Sequence, residues 1–479
     1  MFAAKSRNLA LALAAIGVIA LLAAATGHSS GRRATGGPPM TALGSVSSLS
    51  AYGRQNRSLC PGIVCYTPAQ LQQAYDWPSG HRAPDGTGQT IMVVVAYGNL
   101  GLEADVQQFD SLFNIPSLQI SYCGAANGAV NTGDPDAPGW GPETDADVEW
   151  AHAMAPGARI VLAVAPTDNL SDLAATEVQC VPQYPGAVVS QSWGEPESDA
   201  MTDSTVQAAI GTLHGLYLTA TKTLGDTFVA GAGDDGAANA DYTGVDAPSA
   251  NYPASDPLVT AVGGTEGLPY PGGLLRGNFG FFGNNGGGYG GEQVWNEPGV
   301  GATGGAPSAI FPRPNYQSGF THYPTRAVSD VAWDGAGDGG EVIVFQGGVY
   351  DYGGTSLGPP PWAALFALVD EERSQNHQDS IAQANPELYA IAGNGREYRQ
   401  DFHDITVGNN GFDADTSFQA GPGYDLPTGL GTPDASNLIN DLVGGSSNHY
   451  GDGNSGPSWP SSGGHGNGRG GQHHAFAGS

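Results

Sequence analysis

Five short apolar runs, at 90–96, 159–165, 187–191, 227–230 and 259–262, alternate with stretches of helical spacing such as 103–113 and 202–216. A strand that is apolar along its whole length has to be covered on both faces, and sheets built that way are parallel, with helices packed above and below. The chain is therefore expected to form an α/β domain with a mostly parallel central sheet covered by helices on both faces. Its composition supports this: 40% hydrophobic and only 13% charged residues, with 75 glycines and 34 prolines among 479, suit a large core joined by many ordered loops.

The formal charge of -30 arises from 46 acidic residues set against 16 Lys and Arg. Such a surface repels nucleic acid and anionic membranes, and no basic cluster offsets it. Lys5 and Arg7 precede an apolar run at 9–25, so residues 1–25 read as an export signal and the protein as secreted. The run is shorter than the ~20 residues that span a bilayer, which makes an N-terminal membrane anchor the lesser reading. Cys60, Cys65, Cys123 and Cys180 in an exported chain invite disulfides, with 60–65 and 123–180 the expected pairs. Zinc is disfavoured, since no Cys pair has two-residue spacing and no histidine clusters beside one. Residues 26–59 read as a Gly/Ser/Ala-rich linker, 60–443 as the folded domain, 277–291 as a Gly-rich loop and 444–479 as a disordered Gly/Ser/His-rich tail. The scattered histidines of that tail, His449, His465, His473 and His474, are assigned no role.

The stretch Asp351-Tyr-Gly-Gly-Thr-Ser-Leu-Gly-Pro-Pro-Pro-Trp362 sets Ser356 in a glycine-led turn just before an apolar, helix-like run at 362–369. A nucleophilic serine is presented in this way: Gly353 and Gly354 let the backbone approach a substrate, and the following helix would aim its N-terminal amides at negative charge formed beside Ser356. A serine nucleophile also needs a base. In Gly141-Pro-Glu-Thr-Asp-Ala-Asp-Val-Glu149 the proline marks a helix start, placing Glu143 and Asp147 one turn apart on one face, and Asp145 and Glu149 on another. Either pair could serve as base and orienter, or the acids could merely favour the helix N-terminus. His152 competes for the role of base.

Two further features bear on chemistry. The run at 228–236 is an apolar strand ending in glycines and two acids, and sheets of this class hold ligands beyond the carboxyl ends of their strands, so Asp234 or Asp235 could face a reaction centre. His403-Asp404-Ile405 and Gly421-Pro-Gly-Tyr-Asp425 could bring two carboxylates and several loop carbonyls together, the hard oxygen donors that calcium prefers.

In this order the pieces resemble the sedolisin family of serine-carboxyl peptidases, from Cys60 to about Val443. Tyr66-Thr-Pro68, Val188-Val-Ser-Gln-Ser-Trp-Gly194, Gly231-Ala-Gly-Asp234, Tyr252-Pro-Ala-Ser-Asp-Pro257, Val262-Gly-Gly-Thr265, Phe311-Pro-Arg-Pro-Asn-Tyr-Gln317 and Asp404-Ile-Thr-Val-Gly-Asn-Asn410 share in the likeness. The resemblance implies a subtilisin-like fold, Ser356 as nucleophile, Glu143 as general base, Asp147 as the residue that orients it, and Asp234 as a protonated oxyanion-hole acid. It further implies one structural calcium ion held by the Asp404 and Asp425 side chains and the main-chain oxygens of Ile405, Gly421 and Gly423. Protein or peptide substrates, endopeptidase action and a monomer are expected to follow.

The chemistry accounts for carboxylates in place of histidine. With a pKa near 6.5, a histidine at pH 4 is only ~0.3% neutral, whereas a glutamate of ordinary pKa near 4.3 is partly ionised there. Activity is therefore expected well below pH 7. Sedolisins usually carry a large folded propeptide, while only about thirty residues separate the signal from the catalytic segment, so folding is expected to proceed unaided or with a chaperone supplied separately. The family's auxiliary acid is replaced by Ala96-Tyr97, Ser329 stands where proline commonly precedes Asp330, and Leu357-Gly358 are less usual after the serine. Two other readings compete. An ordinary subtilisin needs a His-Gly-Thr helix start and an acid ending the first strand, and both are absent. A catalytically inactive, calcium-stabilised secreted binding protein on a peptidase scaffold is the alternative from a different class.

Overall fold

The computed structural model describes residues 40–45, 64–128, 133–200, 202–239, 244–270, 289–412 and 414–444. The export signal, Cys60, most of the Gly-rich loop at 277–291 and the tail beyond 444 lie outside the described residues. In chain order the elements used below are β1 (Met40–Ser45), α1 (Pro68–Ala74), β2 (Thr90–Ala96), α2 (Leu102–Phe113), β3 (Ser121–Gly124), α3 (Trp140–Met154), β4 (Arg159–Ala165), α4 (Leu170–Cys180), β5 (Val188–Gln191), α5 (Ser204–Thr223), β6 (Thr227–Gly231), β7 (Val259–Gly267), β8 (Glu292–Val294), β9 (Val331–Asp334), β10 (Glu341–Phe345), β11 (Gly348–Tyr352) and α6 (Pro359–Gln375).

All five apolar runs become strands of one eight-stranded sheet, ordered β8-β7-β6-β5-β2-β4-β3 with β9 also pairing with β7. Every pairing is parallel except that of β8 with β7. Strand β2 shows why: Ile91 through Ala96 are all 0% exposed, and because successive side chains point to opposite faces, both faces must be covered. Helices α3 and α6 pack together against β2, while α4 packs with α5 and against β4. The run expected at 259–262 continues to Gly267 because β9 and β8 extend its pairing, Val331 opposite Val262 and Glu292 opposite Gly267. Helix α6 is buried from Pro359 through Asp370, on every side, as befits a helix with no polar face along that length.

The cysteine pairing is borne out for Cys123 and Cys180, whose disulfide ties β3 to the end of α4 across 57 residues. Closing a loop of that size removes unfolded-chain entropy worth about 4 kcal/mol.

One expectation is corrected. Met40–Ser45, inside the stretch read as a linker, forms β1, which pairs antiparallel with β11 and completes a three-stranded sheet with β10. The outer edge of β11 presents unpaired N–H and C=O groups that any extended segment can satisfy through its backbone. Such pairing requires no apolar periodicity, and most β1 side chains are exposed.

The core buries an unusual number of acids. Glu177 is 0% exposed and burial pushes its carboxyl up to about 8. Burial likewise raises Asp351 to about 8, with Asp338 adding repulsion, and Asp370 to about 7. In the unfolded chain these groups titrate near 4. Between about pH 4 and 8 the native state therefore holds protons that the unfolded chain has released, and stability falls as pH rises through that window. Thermal melts should give a higher Tm at pH 4 than at pH 7.5, with Glu177→Gln flattening the slope; a Tm that climbs toward neutrality would contradict this.

Candidate active site

Strand β11 delivers the chain to Gly353 and Gly354, and both glycines are required. Gly354 has φ +114°, and a Cβ there would stand 2.8 Å from Asp234 Oδ2; at Gly353 it would stand 2.4 Å from the Ala336 carbonyl oxygen. Thr355–Leu357 then form a single 3-10 turn that leaves Ser356 partly exposed while Thr355 and Leu357 are buried. The helix behind it does not act as expected. Pro359, Pro360 and Pro361 occupy its first turn and have no N–H, and the Trp362 amide donates back to Gly358 O at 3.2 Å. Donors for charge developing beside Ser356 must therefore come from the turn itself or from side chains of other elements.

Helix α3, buried along its whole length, packs against the serine turn and α6. Its two acid pairs separate cleanly. Glu143 Oε2 accepts the Tyr352 hydroxyl at 2.7 Å, and Asp147 Oδ1 accepts the Ser192 hydroxyl at 2.6 Å, with Ser192 Oγ also 3.1 Å from the Ser356 carbonyl oxygen. Asp145 instead receives the Asn99 amide at 3.0 and 2.7 Å, and Glu149 receives the Val344 N–H at 2.9 Å. The Glu143 and Asp147 face is thus the one joined to the serine segment. Burial holds the Asp147 carboxyl well above the usual range, Glu143 adds repulsion, and the Ser192 hydrogen bond opposes both. His152, about 13 Å beyond Glu143 along the helix, has Nε2 2.7 Å from Pro116 O and 3.4 Å from Asp110 Oδ1, contacts that anchor α3 to the end of α2.

Asp234 lies beyond the carboxyl end of β6. Its Oδ1 accepts both the Thr355 N–H and the Thr355 hydroxyl at 2.7 Å, and Thr355 Oγ1 accepts the Gly233 N–H at 3.0 Å. With Oδ1 doubly engaged as an acceptor, Oδ2, lying against Gly354, is the oxygen left to carry a proton. Burial raises this carboxyl, and the two Thr355 bonds oppose the rise. Asp235 departs from this arrangement, bridging to Ala302 through its backbone. Sequence reasoning assigned no role to Ser192 or Tyr352. The available signals were a hydroxyl at the carboxyl end of a buried parallel strand and an aromatic residue four positions before the nucleophile candidate.

The second cluster also assembles. Gly423 N–H lies 3.0 Å from both Asp404 carboxylate oxygens, Gly421 N–H donates to Asp425 Oδ2 at 3.0 Å, and Thr428 donates through N at 3.0 Å and Oγ1 at 2.9 Å to Asp425 Oδ1. Asp425 is pushed up to about 7, chiefly by burial and in part by Asp404. Two acids that repel one another bring carboxylate oxygens, donors of the kind a hard cation takes, into one loop. Among the described residues no group of three or more His, Cys, Asp or Glu could hold a metal ion, so a ligand shell here would need main-chain oxygens as well.

Fold and site together define a class: a subtilisin-like α/β scaffold whose serine turn is flanked by carboxylates, with His152 engaged elsewhere. Known proteins narrow it. The chain is 34% identical over 400 residues to kumamolisin of Bacillus sp. (strain MN-32), covering 81% of this chain and 65% of that protein. It is 29% identical over 388 residues to sedolisin of Pseudomonas sp. (strain 101), covering 78% and 60%. The solved structure of Pseudomonas sedolisin complexed with two molecules of pseudo-iodotyrostatin superposes with a TM-score of 0.65 at 26% identity, covering 80% of this chain and 99% of that one. No family model matches. The chain belongs to the sedolisin family, and it spans somewhat less than two thirds of the length of these curated relatives.

Because Gly354 combines a left-handed φ with close approach to Asp234, Gly354→Ala should cost about 2 kcal/mol or more in denaturant unfolding. An unchanged midpoint would contradict the geometry.

Proposed function

We propose that this protein is a secreted, acid-acting serine-carboxyl endopeptidase that cleaves protein or peptide substrates as a monomer. The observation that carries the reading is the shared face of Glu143 and Asp147, tied through Tyr352 and Ser192 to the segment bearing Ser356. Glu143 accepts the Ser356 hydroxyl proton as Oγ attacks the scissile carbonyl, and Asp147 orients Glu143. The oxyanion of the tetrahedral intermediate receives hydrogen bonds from protonated Asp234 and the Ser356 amide. Collapse releases the amine with the proton from Glu143, leaving an acyl-enzyme on Ser356. Water, deprotonated by Glu143, then frees the acid product.

The pH limits follow from opposite demands. Glu143 must be at least partly ionised to accept a proton, whereas Asp234 must stay protonated, since its carboxylate would repel the oxyanion. Burial of Asp234 raises its carboxyl and so supports the second demand. The export signal supports secretion, and no helix among the described residues is long and apolar enough to cross a membrane.

Calcium at Asp404, Ile405, Gly421, Gly423 and Asp425 would neutralise the facing acids. The loop lies next to β9 in the fold, since Leu430 N–H donates to the Asp330 carbonyl at 2.7 Å. A structural role in holding that edge of the domain fits this position.

Hydrolysis of denatured protein should show a bell-shaped profile centred well below pH 7, abolished by Ser356→Ala and reduced at least 100-fold by Glu143→Gln. Maximal activity at pH 8 would overturn the assignment. Chelation of calcium should lower the Tm, and Asp425→Asn should remove that sensitivity; a Tm indifferent to chelator and calcium would exclude the ion.

A further inference from the structure

Tyr352 is the last residue of β11, set between Met40 of β1 and Glu341 of β10 in the strand register. Its side chain is 0% exposed and its hydroxyl donates to Glu143 Oε2 at 2.7 Å, across 209 residues of sequence. Four residues later the same segment presents Ser356. One phenol therefore ties the strand that carries the nucleophile to the carboxylate assigned as its base.

The chemistry of that tie differs from a carboxyl-to-carboxyl contact. Burial, with Glu143 beside it, keeps the phenol protonated throughout the acid and neutral range. It can donate a hydrogen bond but cannot take the proton from Glu143. A fixed neutral donor stabilises the charged form of a carboxyl relative to the protonated form. Other titratable groups facing Tyr352 oppose that form: Asp147 comes from the same helix and Asp234 from the end of β6. Across the sheet stands Glu341, whose Oε1 accepts Trp333 Nε1 at 2.7 Å.

We propose that Tyr352 is a positioning residue for peptide hydrolysis, orienting Glu143 against the serine segment and keeping it ionised in acid, and so setting the acid limb of the activity profile. This rests on the serine-carboxyl reading above. Replacing the hydroxyl with hydrogen should shift the acid limb upward, because the ionised form of Glu143 loses a donor.

The test is steady-state hydrolysis of a peptide substrate from pH 2.5 to 7 by the full chain, with Tyr352→Phe, 3-fluorotyrosine at position 352, and Ser356→Ala as the control. Tyr352→Phe should move the acid limb up by roughly one pH unit and lower kcat at pH 3 about tenfold, with KM and the neutral limb little changed. The more acidic fluorinated phenol should move the limb the other way without altering packing. Acid limbs that coincide in all active forms would overturn the proposal, whether or not overall activity falls. Absence of any Ser356-dependent hydrolysis would instead overturn the serine-carboxyl reading. The contact is then decided by carbon-13 NMR of the glutamate carboxyls in the Ser356→Ala background, with Glu143→Gln assigning the resonance. A Glu143 midpoint raised by Tyr352→Phe sustains the positioning contact, and an unmoved midpoint removes it.

Discussion

Burying a carboxylate is costly unless donors replace the water it loses, and α3 buries four of them: Glu143, Asp145, Asp147 and Glu149. Each is met by a neutral donor from a different part of the chain. Tyr352 comes from β11, Asn99 follows β2, Ser192 follows β5, and the Val344 N–H belongs to β10. The requirement to satisfy these acids therefore fixes α3 simultaneously to the central sheet and to the hairpin that leads into the serine turn. The candidate site is a consequence of how one buried acidic helix has to be accommodated.

The same solution recurs away from the site. Glu292 accepts hydroxyls from Tyr75 at 2.8 Å, Tyr289 at 2.8 Å, Thr432 at 2.7 Å and Thr265 at 2.5 Å. Asp330 is bound by Arg326, Tyr389, Asn385 and the Ala261 N–H, all inside the protein. Where the partner is cationic, as with Arg326, the acid joins a buried ion pair. Where the partners are neutral, burial dominates and raises the carboxyl, as for Glu292 and Glu177. A core of this kind favours protonated acids, the same condition that the proposed role of Asp234 demands. Fold stability and the proposed chemistry thus lean toward the same side of the pH scale.

Much of the architecture could be read from local pattern. The apolar runs at 90–96 and 159–165 coincide with β2 and β4, because a strand buried on both faces cannot hide its composition. Pro142 marked α3 to within two residues, and the glycines before Ser356 foretold a turn whose φ and contacts exclude a side chain. β1 was missed because its pairing is made by backbone atoms, which leave no trace in side-chain periodicity. The amide donors expected from α6 were a misreading of information already present, since Pro359, Pro360 and Pro361 stand openly in the sequence.

What the sequence by itself determined was the five apolar strands of the central sheet, the helical faces of the two acid pairs, and the turn that exposes Ser356, all of which depend on φ, ψ and spacing within a few residues. Its motifs also carried the family resemblance. Which acid pair meets the serine segment was decided only in three dimensions, as were the contacts of Ser192 with Asp147 and of Tyr352 with Glu143, made across 45 and 209 residues. A hydrogen bond is chosen by the geometry of the packed chain, and at such separations no local pattern records which hydroxyl will reach which carboxylate.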